Sequence, residues 1–359
     1  MPQSRVQKSR ASSRAANKIG LLTGGGDCPG LNAAIRAVVH RSLAKGWQPL
    51  GFHNGWAGVL NRDFEVMDRD SVAGILDKGG TMLGTSRTDP RKAKDSYKKV
   101  EAVFKDLGLH ALIPIGGDDT LSVANQLAKD GHPVVGVPKT MDNDVTGTDF
   151  CIGFDSAVTR GTEAIDWIHT TASSHGRIIV VEVMGRDAGW VATYCGLAGA
   201  ADYVFIPELP TKLADAVKLL EKRRAEGKRY GVVVVSEGAS IQGLDEEGGR
   251  VDAKDQFGHL VLGTRDLGRR LADAIERETG FETRSVVLGH VQRGGPPTVA
   301  DRVLGSRLGV AAVDMVARRR WGHMPALQGG KIIEVALEVA VGTNRKVDLD
   351  IYEVAKVFF

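Results

Sequence analysis

Short apolar runs of strand length alternate with segments of helical period along most of this chain, and that alternation restricts its fold more than any other feature. Strand-like runs fall at 18–22, 111–115, 133–137, 178–183, 203–206, 231–235 and 285–288. Helical periodicity marks 31–43, 121–129, 156–171, 188–197, 214–225 and 262–278 between them. Residues 232–235 are all valine, apolar on both alternations, as expected of a strand covered by helices on both faces. Repeated βαβ units predict an α/β protein with mainly parallel sheets. A length of 359 residues suits two lobes or one large unit, with a crossing between lobes at 149–153. No glycine-serine linker, heptad or internal repeat interrupts the pattern. The last ~40 residues are weakly periodic and belong to neither lobe by pattern alone.

Charge and cysteine usage narrow the class. The formal net charge of +3 is uneven, because Arg5, Lys8, Arg10, Arg14 and Lys18 open the chain without an acid and leave its body slightly negative. A nucleic-acid partner is therefore not expected. The basic start superficially resembles a transit peptide but lacks an apolar face, so residues 1–17 read as a disordered tail. The apolar centre of a secretory signal is missing. No run nears the ~20 apolar residues of a bilayer-crossing helix, so no membrane partner is expected. Cys28, Cys151 and Cys195 are far apart and odd in number, forming neither disulfide framework nor metal cluster, which favours a reducing, cytoplasmic setting. Glycine is abundant, 45 residues against roughly 25 at average usage, and forecasts close backbone approaches.

In open α/β sheets, ligands bind beyond the carboxyl ends of the strands. Six polar clusters sit there, at 24–27, 116–120, 139–144, 184–186, 236–238 and 290–295. Such regularity points to one site. Gly24-Gly25-Gly26-Asp27 feeds a helix start that could hold an anion or serve only as a turn. It is no dinucleotide fingerprint, since Pro29 replaces the third glycine, and no P-loop, since no Gly-Lys-Ser/Thr follows. Asp118 and Asp119 are adjacent carboxylates whose repulsion calls for a cation such as magnesium carrying phosphate; capping the next helix is the plainer alternative. Asp142 and Asp144 suit a general base and its support, although Asx-rich turns are common. Lys139 adds a cation beside them, a combination that suits phosphoryl transfer. Arg177, Arg186, Arg284 and Arg293 flank strands, with His290 among them. Guanidinium groups there suit a sugar phosphate, while any one of them could be an ordinary ion pair.

Taken in order, residues 19–36, Leu83-Gly84-Thr85-Ser86-Arg87, 116–120, 138–144, 184–186, Ser236-Glu237-Gly238 and 289–302 resemble the 6-phosphofructokinase family, collinearly over 18–318. The resemblance implies two Rossmann-like lobes with mainly parallel sheets and the active site in the cleft between them. It assigns 18–154 plus about 292–340 to the phosphoryl donor, and 155–291 plus about 341–359 to the sugar phosphate. It implies Mg2+-dependent transfer to the 1-hydroxyl of fructose 6-phosphate. By position, Asp142 resembles the base, with Thr140 and Asp144 around the transferring group and Arg186 stabilising its charge. Asp118 matches the magnesium aspartate, while Gly25 and Arg87 match donor contacts. Met184, Gly185, Glu237, His290 and Arg293 match the residues that hold the sugar phosphate, the last two at its 6-phosphate. Arg177 and Arg284 correspond to arginines lent by a neighbouring subunit, which implies a homodimer or homotetramer.

Family members that use ATP generally carry glycine where this chain has Asp119 and Lys139. The pair resembles the pyrophosphate-dependent branch, and implies a reversible reaction. A carboxylate would obstruct a nucleotide while an ammonium suits a compact diphosphate, so selection combines repulsion with attraction. Asp119 carries most of the weight, because some members with the lysine alone use ATP. The alternatives are an ATP-dependent member of the family and a non-catalytic regulatory subunit that binds the sugar phosphate. The complete set Asp118, Asp142, Asp144 and Arg186 disfavours the second. A Rossmann dehydrogenase is disfavoured by the broken glycine fingerprint.

Overall fold

The structure, a computed structural model, describes residues 16–244 and 265–359. The chain begins with β1 (Lys18–Thr23), α1 (Leu31–Ala44), β2 (Gln48–Phe52), α2 (Trp56–Asn61), β3 (Phe64–Val66), α3 (Ser96–Leu107), β4 (Leu109–Gly116), α4 (Asp118–Lys129) and β5 (Val137–Pro138). Their strands form one sheet in the order β3-β2-β1-β4-β5, parallel except for the antiparallel edge strand β3. Then come α5 (Phe154–His175), β6 (Ile178–Val183), α6 (Trp190–Ala198), β7 (Tyr203–Phe205), β8 (Thr211–Lys212), α7 (Leu213–Ala225), β9 (Gly231–Ser236), β10 (Ile241–Gln242), α8 (Leu267–Thr279) and β11 (Thr283–Val287). The second sheet, β11-β6-β9-β7, is parallel throughout, and β8 pairs with β10 apart from it. A 3-10 turn, Gly289–Arg293, leads to α9 (Val299–Ala317), the hairpin β12 (His323–Gln328) and β13 (Lys331–Ala336), α10 (Leu337–Ala340) and α11 (Leu349–Lys356). This is the expected α/β class with mainly parallel sheets.

Strand alternation places two apolar layers on each sheet. Ile19 and Leu21 of β1 pack with α1 and α9, whereas Leu22 faces the layer of α3 and α4. Val232 and Val234 of β9 join α5 and α6, while Val233 and Val235 join α7 and α8. Burial on both faces explains why these strands read as unbroken apolar runs.

Several elements escape a reading by period, namely β2, α2, β3, α3, the terminal hairpin and α9. Helix α9 is apolar on several sides: Leu304, Leu308 and Val313 are buried while Val299, Val303 and Val310 are exposed. No single stripe exists to detect. Close contact with α1 explains its glycines, since a Cβ on Gly309 would sit 2.7 Å from the Ala34 carbonyl oxygen. Within 133–137 only Val137 belongs to a strand, and Val134 and Val135 make isolated bridges. The hairpin lies beside them through the bridge of Val135 with His323. Helix α10 packs on α4, and α11 on α6. Residues 262–264 of the expected helix 262–278, and 1–15 of the tail, lie outside the described residues.

Candidate active site

All six polar clusters contribute to one cavity of about 470 Å³. It lies where the carboxyl ends of β1, β4 and β5 face those of β6, β9 and the turn after β11. Parallel strands end on the same side of a sheet, so sequence-distant loops converge there.

The loop after β5 carries the densest chemistry. Asn143 is buried with φ 54°, a conformation asparagine tolerates well. Its Nδ2 donates to the Asp149 carbonyl (3.1 Å) and its Oδ1 accepts from the Cys151 N–H (2.9 Å). Met141 and Val145 are buried with it, while Thr140, Asp142 and Asp144 alternate toward the cavity. The Asp142 N–H donates to Thr140 Oγ1 (3.1 Å). Asp142 Oδ1 is buried without a hydrogen-bond partner, an acceptor awaiting a donor. Burial pushes the Asp142 carboxyl above its ordinary value, against the pull of Arg293 and Arg186. Burial, and then the charge of Asp142, push the Asp144 carboxyl up to about 7.

On one wall, Gly25 and Gly26 line the cavity, with the Gly25 N–H donating to the Ser86 carbonyl (3.3 Å). Lys139 is buried, and its ammonium donates to the Gly26 carbonyl beside Gly25. Burial lowers the pKa of this ammonium. Asp118 and Asp119 occupy the first turn of α4, and Gly117 is its N-cap residue. Both aspartates benefit from the helix dipole there. Asp118 Oδ1 accepts from the Gly342 N–H (3.1 Å). Arg87 also lines the cavity.

On the opposite wall stand Met184, Arg186, Glu237, His290 and Arg293. The Met184 N–H donates to Gln292 Oε1 (2.8 Å), and the Gly185 N–H to Glu237 Oε1 (3.3 Å). Gly185 itself is not among the residues that line the cavity; its N–H holds Glu237, which is. Burial, with Asp142 adding to it, pushes the Glu237 carboxyl up to about 7. Arg186 Nε pairs with Asp187 (3.0 Å), and Arg293 Nη1 donates across the cleft to the Asp27 carbonyl (2.8 Å).

Arg177 and Arg284 are not brought to this cavity. They stand at the opposite end of β6 and β11, six or seven residues and roughly 20 Å of strand from Met184 and His290. Both pair with Glu282, at 2.8 and 2.6 Å, and Arg177 Nε is buried without a partner.

Among the described residues, no group of three or more His, Cys, Asp or Glu side chains converges as a metal cage. Magnesium needs none, because it takes one or two carboxylates and completes its shell with waters and phosphate oxygens. Asp118, on a wall that also bears Asp119, Asp142 and Asp144, fits such an ion. Sequence reasoning missed Trp56, Thr88, Asp89 and Asn344, which also line the cavity. Asp89 holds Arg91 through two 2.9 Å bonds. Nothing periodic marks these residues, and Asn344 lies in the tail that pattern left unassigned.

No helix among the described residues is long and apolar enough to cross a membrane. A protein of Amycolatopsis methanolica named pyrophosphate--fructose 6-phosphate 1-phosphotransferase is 51% identical over 343 residues, covering 95% of this chain and 99% of its own. A Corynebacterium efficiens protein named ATP-dependent 6-phosphofructokinase is 46% identical over 349 residues, covering 96% and 99%. The structure of Pichia pastoris phosphofructokinase in the T-state superposes with a TM-score of 0.79 at 30% identity, over 96% of this chain. This chain spans 36% of that longer one. The pattern of the phosphofructokinase family matches residues 18–316, and with these relatives it shows that the chain belongs to that family of phosphotransferases.

Proposed function

We propose that the chain transfers a phosphoryl group from pyrophosphate to the 1-hydroxyl of fructose 6-phosphate, giving fructose 1,6-bisphosphate and phosphate reversibly. The placement of Lys139 carries this choice of donor: a buried ammonium beside Gly25, with Asp119 on the same wall. A diphosphate would bring its charge up to this buried ammonium, while Asp119 repels the inner phosphate of a nucleotide.

Asp142 takes the proton of the 1-hydroxyl, its unpartnered Oδ1 accepting the hydrogen bond beforehand. Its raised pKa brings the base toward the working pH. Thr140 and Asp144 hold that hydroxyl's surroundings, and Arg186 neutralises charge on the moving phosphoryl. Glu237 bonds a sugar hydroxyl, Met184 and Gly185 shape its pocket, and His290 and Arg293 receive the 6-phosphate. Asp118 would hold magnesium, which neutralises the donor's oxygens when bound.

Residues 18–154 with about 292–340 form the donor lobe in this reading, and 155–291 with about 341–359 the sugar lobe. Arg177 and Arg284 complete a neighbour's site in a homo-oligomer. Edge strand β11 leaves Val287 exposed and the following turn exposes Val291, an apolar border suited to a second subunit. Three buried free thiols suit the reducing cytoplasm.

The test is initial velocity with fructose 6-phosphate and magnesium, comparing pyrophosphate with ATP in an aldolase-coupled assay. Turnover with pyrophosphate and little with ATP is expected. Turnover with ATP alone would replace the donor by that named for the Corynebacterium efficiens relative. Turnover with neither would leave a regulatory subunit. With the donor known, Asp119→Gly combined with Lys139→Gly should admit ATP; an unchanged preference would refute gating by these two residues.

A further inference from the structure

The segment from Gly342 to Val347 runs across the cavity wall from one lobe to the other, beyond the residues matched by the family pattern. The Gly342 N–H donates to Asp118 Oδ1 (3.1 Å) and the Arg345 N–H to the Asp144 carbonyl (2.7 Å). Arg345 also donates to the Asp149 carbonyl (2.7 Å), and its guanidinium lies 4.2 Å from the ring centre of Trp190. Trp190 Nε1 donates back to the Arg345 carbonyl (3.2 Å). The Lys346 ammonium reaches the Asp187 carbonyl, next to Arg186, and the Val347 N–H donates to Glu208 Oε1 (2.9 Å). This strap is therefore tied to both walls of the cleft.

Asn344 lies between the two anchors and opens on the cavity. Its neighbours in sequence hold Asp118 on one side and Asp144 on the other, so it faces the space between metal aspartate and reaction end. Four carboxylates line that region, those of Asp118, Asp119, Asp142 and Asp144. A diphosphate entering there meets repulsion unless neutral or cationic donors accompany it. A carboxamide offers two N–H donors and adds no charge.

We infer that Asn344 is a donor-contact residue whose side-chain N–H bonds an oxygen of the bound diphosphate, held in place by the strap 342–347. This rests on the proposed choice of donor and names a further residue for it. Calorimetric titration with the magnesium complex of methylenediphosphonate, which cannot be cleaved, tests it without turnover. Asn344→Ala should weaken that binding about tenfold, as losing a hydrogen bond to a charged group does, and leave fructose 6-phosphate binding unchanged. Asn344→Asp, of equal size but charged, should weaken it further. Equal weakening of both ligands would reveal a merely structural role and overturn the inference. Undiminished diphosphonate binding in both variants would overturn it while leaving the donor reading intact. No diphosphonate binding by the unaltered protein would sink the donor reading, and the inference with it.

Discussion

At the scale of single residues, burial sets the chemistry of this site. Asp142 and Asp144 are two apart, kept on one side of the loop by the inward turn of Asn143. If Asp142 is the base, Asp142→Asn should lower kcat by roughly 10²–10⁴-fold with fructose 6-phosphate still bound, read by initial rates and by calorimetry. Asp144 also makes stability depend on pH. Its carboxyl titrates at about 7 in the folded protein and near 3.8 otherwise, so between these values the folded state holds a proton that the unfolded state has lost. Stability therefore falls as pH rises through that window, and levels off above it. Asp144→Asn cannot ionise and escapes this penalty. Its melting temperature, relative to the unaltered protein without ligands, should be higher at pH 8 than at pH 5; a gain independent of pH would contradict the account.

At the scale of elements, close packing of α1 against α9 sets how near the two helices approach. Gly305 and Gly309 lie against the Gly30 and Ala34 carbonyl oxygens, and Ala33 and Ala37 complete a face of small residues. Gly309→Val would force the helices apart at cost of about 1–3 kcal/mol, as overpacking does, visible as a lower denaturant midpoint with an unchanged slope. Asp301, near the start of α9, is buried and accepts from the N–H groups of Gly153 and Ser156 and from Ser156 Oγ, at 2.8, 2.8 and 2.6 Å. It anchors α5 where the chain passes into its second sheet. The 3-10 turn does similar work on the other side, because Gln292 within it binds the Met184 N–H and so ties His290 and Arg293 to the loop of Arg186. Site residues on different strands are thus held by bonds between their loops.

At the scale of the whole molecule, two sheets present their carboxyl ends to one cleft, and a completed site is proposed to need a second copy. Mixing Arg284→Ala with Asp142→Asn in hybrid dimers would leave one intact site in each hybrid, so each variant alone should be nearly inactive while co-expression restores about a quarter of the activity. No recovery in purified hybrids would place Arg284 in a structural role with Glu282. The sequence by itself determined most strands and helices of the parallel sheets, though not β2, α3 or α9, and the six polar clusters at the strand ends, because alternation and the β-to-α loop are local features within a few residues. Only the tertiary structure decided what those loops face: that Arg293 crosses to Asp27, that Lys139 lies against Gly26, and that Arg177 and Arg284 share Glu282. It alone placed Asn344 in the cavity and α9 on α1. Contacts between residues hundreds of positions apart depend on how sheets and helices pack, and packing leaves no period in the chain to read.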